Sequence, residues 1–275
     1  MEKPGSAYIE LLKKVLCDHQ HLNMPEYRPL YWDIRVRSKL LNLFDHLLRM
    51  GNYAICSIKK VSEETRSNGI DRPVYADTMI GMKRLNNIEY CIKELLQNNI
   101  KGDFIELGVW RGGAVILMRA LLKEMNITDR IVWVADSFNG LPPPNAVKYP
   151  ADKGDKHSRY SELSISEEDV KHNFEKYGLL DNQVKFLKGW FKDTLPVAPL
   201  KELALLRLDG DMYESTMDGL VNLYPKLNKG GYIIIDDWGA VPACKKAVED
   251  YRDKYSITEE IIPIDWTGVF WKKLN

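Results

Sequence analysis

Residues 103–125 read DFIELGVWRGGAVILMRALLKEM. The apolar run Asp103–Leu107 has the length of a strand and breaks at Gly108. Past Gly112 and Gly113 the apolar residues recur at helical spacing. A strand that turns through glycines directly into a helix is the opening half of a βαβ unit. The same rhythm continues toward the C-terminus. RIVWVADSF (130–138), QVKFLKGW (183–190), LALLRLDGD (203–211) and GYIIIDDWG (231–239) are further apolar runs. Helical patterns cover 166–178, 215–227 and 242–255. The alternation predicts an α/β fold with a mainly parallel sheet. EEIIPID (259–265) and GVFWKK (268–273), joined by Trp266-Thr267, predict a closing antiparallel hairpin.

Residues 1–100 differ in character and read as a mainly helical N-terminal extension to a domain spanning 101–275. SKLLNLFDHLLRM (38–50) places Leu40, Leu43, Phe44, Leu47 and Leu48 on one helical face. After a loop at Arg72-Pro73, Met79, Met82, Leu85, Ile88 and Ile92 form a second stripe. Stripes of this kind are expected to be core. The polar stretch 139–165, NGLPPPNAVKYPADKGDKHSRYSELSI, is too long for an ordinary connection and reads as a lid, a binding loop or disorder.

Composition narrows the function classes. The 275 residues carry 39 Lys plus Arg against 39 Asp plus Glu. A zero balance gives no electrostatic basis for a nucleic-acid or anionic-membrane partner. Cys17, Cys56, Cys91 and Cys244 lack C-x-x-C spacing, which points to reduced thiols rather than zinc or a disulfide framework. No apolar run approaches the roughly 20 residues needed to span a bilayer, and the N-terminus does not read as a secretory signal. The expectation is a cytoplasmic protein, with apolar N-terminal helices available to pack between subunits of a homo-oligomer.

The turn IELGVWRGG spaces Glu106, Gly108, Gly112 and Gly113 as E-x-G-x-x-x-G-G. This is not the dinucleotide pattern G-x-G-x-x-G, which speaks against an NAD-dependent oxidoreductase. A glutamate just before the turn would repel a pyrophosphate but suits an amino group. Glycines here let a ligand approach the backbone and leave helix N–H groups free. Asp136 ends the next strand, where an acid accepts hydrogen bonds from ribose hydroxyls. Ammonium and ribose together describe S-adenosylmethionine. Taken singly these are also the marks of tight packing and of a helix cap.

Two later strands end in acid: Asp209 and Asp211 in LDGD, Asp236 and Asp237 in IIIDDWG. Neighbouring strands lie roughly 4.8 Å apart, so these carboxylates can converge on one ion. Three carboxylates with no histidine or thiol favour a hard divalent cation such as Mg2+. Asp211, two residues past Asp209, faces the same side in an extended chain and is a candidate general base. The plainer alternative is that the acids cap helices or pair with cations such as Arg207.

IELGVWRGG, ADSFNGLPPP, FLKGWFKDTLP, LLRLDGDMYEST, YPKLNKGGYIIIDDWGA and IDWTGVFW, with DRPVYADTMIG upstream, make the chain resemble the macrocin O-methyltransferase (TylF-like) family of class I methyltransferases. The resemblance covers roughly residues 70–273. It implies a Rossmann-like fold with a mostly parallel seven-stranded sheet and a helical N-terminal lid. It implies methyl transfer from S-adenosylmethionine to a hydroxyl, often on a sugar of a secondary metabolite, with Mg2+ dependence. On its pattern Asp209, Asp236 and Asp237 ligate the metal and Asp211 is the base. Glu106 through Gly113, Asp136 and Ser137 hold the cofactor, Met79 closes over it and Trp190 meets the adenine. His157 in the 139–165 loop is a second base candidate. A non-sugar acceptor such as a polyketide or phenol, or a non-catalytic nucleoside-binding relative, remain the competing readings. Trp238 stands where family members often have Tyr.

Overall fold

The computed structural model describes residues 7–29 and 39–275. Its helices are α1 (Ala7–Leu16), α2 (Lys39–Met50), α3 (Glu63–Ser67), α4 (Met82–Gln97), α5 (Gly113–Glu124), α6 (Glu167–Lys176), α7 (Phe191–Thr194), α8 (Tyr213–Leu223) and α9 (Pro242–Lys254). Its strands are β1 (Glu26–Pro29), β2 (Cys56–Lys59), β3 (Asp103–Leu107), β4 (Val132–Asp136), β5 (Val184–Lys188), β6 (Leu203–Leu208), β7 (Leu227–Ile235), β8 (Ile262–Pro263) and β9 (Val269–Lys272).

Seven strands form one sheet in the order β5-β4-β3-β6-β7-β9-β8. The strands from β5 through β7 are parallel, and β9 runs antiparallel to both its neighbours. This is the expected Rossmann-like sheet with its C-terminal hairpin. The chain winds from β3 outward through β4 to β5, then restarts on the other side at β6. Between β3 and β6 lies the switch point, where open α/β sheets form a crevice at their carboxyl ends.

Strand alternation sorts side chains onto two cores. Phe104, Leu205, Tyr232 and Ile234 face α1, α4, α5 and α6. Ile105, Leu107, Leu206, Leu208, Ile233 and Ile235 face α8 and α9. The same alternation puts Glu106, Arg207 and Asp236 on the first face. The pairing of Glu106 with Arg207 sets two of them side by side.

The N-terminal segment is built onto this core. Ile9, Leu12 and Leu16 of α1 and Leu85, Ile88, Ile92 and Leu95 of α4 pack in the cluster that includes α5. Met79 lies before α4 rather than within it. The stripe on α2 is not core. Leu40 is 81% exposed, and Leu43, Phe44 and Leu47 are each at least 57% exposed. Helical spacing records that a helix is two-faced, not which body covers the apolar face. The antiparallel pair β1–β2 is a second departure from the mainly helical expectation for this segment. In the 139–165 loop, three one-turn helices lie at Pro150–Asp152, His157–Arg159 and Ser161–Leu163. Buried Asp152 caps α8 by accepting the N–H groups of Tyr213 (2.7 Å) and Glu214 (3.1 Å).

Candidate active site

A cavity of about 450 Å³ opens at the carboxyl ends of the parallel strands. Met79, Gly108, Asp136, Ser137, Trp190, Asp209 and Asp211 line it. The ladder extends one residue past each strand to create this rim. Gly108 N–H donates to Ala135 O, Asp209 N–H to Leu107 O and Asp236 N–H to Leu208 O, each at 2.9 Å. Gly108 is required there. Its φ is +84°, and a Cβ would sit 1.9 Å from Asp209 O.

The other two glycines act differently from the expectation. Gly113 N–H donates to Asp77 O at 2.8 Å and Gly112 N–H to Val109 O at 2.8 Å. These groups are not left for a ligand, because the segment before α4 lies across the start of α5. Arg111 fastens that segment by donating to Val74 O and Ala76 O. Asp136 accepts from the amides of Val109 and Phe138, each at 2.8 Å. It thereby shapes the turn while lining the cavity. Burial raises its carboxyl above the usual range.

Glu106 is buried below this rim, paired with Arg207, and its Oε2 has no hydrogen-bond partner among the described residues. Burial, offset by Arg207 and reinforced by Asp236, pushes its pKa up to about 7. Arg207 is the cation that local sequence offered as an alternative partner. It contacts Glu106, Asp236 and, at 2.9 Å, Asp209.

Asp209, Asp236 and Asp237 bring ligand-capable oxygens within 4.8 Å of one another. Burial raises the carboxyl groups of Asp209 and Asp237 well above the usual range, and neighbouring carboxylates push the same way. An all-oxygen set whose members repel each other fits a hard divalent cation. Asp236 is nevertheless already held by two guanidiniums, Arg207 and Arg84. Arg84 comes from α4 and also pairs with Asp265 at 2.9 Å. Burial alone would lower the pKa of this arginine, but Asp236 and Asp265 outweigh it and the net shift is upward. No local sequence signal marks Arg84, since its acids lie far along the chain.

Asp211 reaches the cavity by another route than extended-chain alternation. β6 has ended, and Asp211 sits in the left-handed region at φ 56°. Its N–H donates to Asp237 Oδ2 at 3.2 Å. Burial raises its carboxyl above the usual range. His157 does not line the cavity, yet its Nε2 is 3.9 Å from Asp211 Oδ1. Trp110, within the Glu106–Gly113 turn, lines the cavity and donates from Nε1 to Glu162 O at 2.8 Å. Trp238 packs against the α8–α9 core, with Lys245 5.3 Å from its ring centre.

Among relatives, the chain is 55% identical over 212 residues to demethyldecarbamoylnovobiocin O-methyltransferase of Streptomyces niveus, covering 77% of this chain and 81% of that protein. It is 52% identical over 210 residues to 8-demethyl-8-(2,3-dimethoxy-alpha-L-rhamnosyl)-tetracenomycin-C 4'-O-methyltransferase of Streptomyces olivaceus, covering 76% and 80%. The solved structure of the O-methyltransferase NovP superposes with a TM-score of 0.82 at 46% identity, covering 98% of this chain and 99% of that one. A sequence model of the macrocin-O-methyltransferase (TylF) family matches residues 5–273, and the chain belongs to that family of O-methyltransferases.

Proposed function

We propose that this chain transfers the methyl group of S-adenosylmethionine to a sugar hydroxyl of an antibiotic-type natural product, with dependence on Mg2+. The observation that carries the reading is one cavity lined by Gly108, Asp136 and Trp190 and also by Asp209, whose carboxylate clusters with those of Asp236 and Asp237. The sugar assignment draws on the rhamnosyl acceptor in the name of the Streptomyces olivaceus relative. A polyketide or phenolic hydroxyl is the second reading, favoured by the apolar wall of Leu141, Pro142, Pro143 and Leu163.

In this reading Asp136 and Ser137 take the ribose, Met79 and Trp190 enclose the adenine end, and Glu106 offers its unpaired oxygen to the ammonium group. When bound, S-adenosylmethionine supplies the methyl group as a sulfonium. Asp209, Asp236 and Asp237 would hold a divalent ion, which would supply Lewis acidity toward the acceptor hydroxyl. Asp211, which lines the cavity beside these carboxylates, accepts the hydroxyl proton. Holding both reactants in one cavity supplies much of the rate. The enzyme is read as a cytoplasmic homo-oligomer without a nucleic-acid partner; sedimentation as a monomer at working concentration contradicts the oligomer.

Glycosylated and polyketide alcohols incubated with enzyme and donor are the direct test, with products read by mass shift. A gain of one methyl on a sugar, lost in EDTA and restored by Mg2+, is expected. Full activity in EDTA removes the metal from the reading. Methylation confined to the aglycone selects the second reading.

A further inference from the structure

One pair of side chains at the edge of the site is not accounted for by the cavity. His157 Nδ1 lies 2.6 Å from Asp155 Oδ2, and the His157 backbone N–H donates to Asp155 Oδ1 at 2.8 Å. One carboxylate thus holds both the turn and the ring, as an Asx-type turn does. The Asp155 carboxylate is 12% exposed and the ring 28%. The ring also has Tyr160 beside it, and Tyr160 is in turn held from the N-terminal segment. The His157 ring centre is 6.0 Å from that of Tyr160, and the Arg72 guanidinium lies 5.0 Å over the Tyr160 ring. Arg72 reaches Glu162 at 3.5 Å as well.

In a neutral imidazole one nitrogen carries the proton and the other a lone pair, and the partner of one fixes the role of the other. We propose that Asp155 is a positioning residue for methyl transfer: it fixes His157 as the Nδ1–H tautomer, so that the Nε2 lone pair faces the space beside Asp211. The inference rests on the proposed methyl-transfer reading. The 3.9 Å between Nε2 and Asp211 Oδ1 is too long for a hydrogen bond. It is a gap between two acceptors that point at the same space, where an acceptor hydroxyl presents its proton. Asp211 and His157, which sequence reading set against each other as bases, then serve one site. An imidazole without Asp155 distributes its proton over both nitrogens and presents the lone pair only part of the time.

The test has two arms. In resting enzyme without donor, acceptor or metal, 15N-labelled histidine NMR reads the tautomer, and His157→Gln identifies the resonance among the five histidines. Wild type is expected to protonate Nδ1, and Asp155→Asn to shift the population toward Nε2–H. In turnover, Asp155→Asn is expected to lower kcat on the order of 10²-fold with the acceptor KM within about twofold, and Asp155→Glu to restore part of the loss. An Nε2–H tautomer or a doubly protonated ring in wild type at the pH of turnover overturns the proposal, as does an Asp155→Asn variant with unchanged kcat. The spectrum requires no methyl transfer, so a failed acceptor screen tells against the functional reading and leaves the tautomer result to decide this one.

Discussion

Gly108 joins the two halves of the site within one residue. A Cβ there would strike the carbonyl of Asp209, and the backbone is left-handed. Gly108→Ala is therefore expected to cost about 2–4 kcal/mol in urea denaturation. It should weaken donor binding and turnover together; an unchanged midpoint shows that the rim relaxes freely. Asp209→Asn is expected to lower turnover at least on the order of 10³-fold, while calorimetry finds donor affinity within about threefold. Equal losses in both would place Asp209 with the donor instead. Glu106 gives a pH signature in metal-free, donor-free protein. Its folded pKa of about 7 lies above its ordinary 4.5. The folded state holds this proton more tightly, so the contribution is full below pH ~4.5 and lost as pH rises toward 7. Relative to Glu106→Gln, wild type is expected to lose about 3 kcal/mol across that window. Parallel stability-versus-pH curves for the two proteins contradict it.

At the scale of elements, α4 matters most, because it delivers Arg84 to the end of β7. Asp236 and Asp265 share that guanidinium in a buried setting. Arg84→Met leaves both acids short of a cation, an expected loss of about 3–5 kcal/mol in EDTA. Mg2+ should recover part of it, since a cation beside Asp236 replaces some of the missing charge. An equal loss with and without Mg2+ would mean that Asp236 is out of an ion's reach. Strands and helices of the sheet were readable because strand length, glycine turns and helical spacing are local properties. So were the four acids at the rim, which follow directly from where β6 and β7 end. The Arg84 pairing, the cover of Asp77 over α5 and the Asp155–His157 contact depend on tertiary approach or side-chain orientation. For these, no spacing in the chain is diagnostic.

At the scale of the molecule, the N-terminal segment divides in two. α1 and α4 are part of the sheet's own core, whereas α2 presents Leu40, Leu43, Phe44 and Leu47 to solvent. Phe44→Ser is expected to change monomer unfolding free energy by no more than about 0.5–1 kcal/mol. A larger loss in dilute denaturation would show a hidden role in folding. The opposite end of the chain is different. β9 is inserted between β7 and β8, and Asp265 in the β8–β9 corner grips Arg84. During synthesis β7 therefore emerges before β9 as a bare edge, and the arginine that steadies Asp236 lacks its second carboxylate until Asp265 leaves the ribosome. The β8–β9 hairpin thus both covers an edge prone to pairing with other chains and brings the second carboxylate to Arg84.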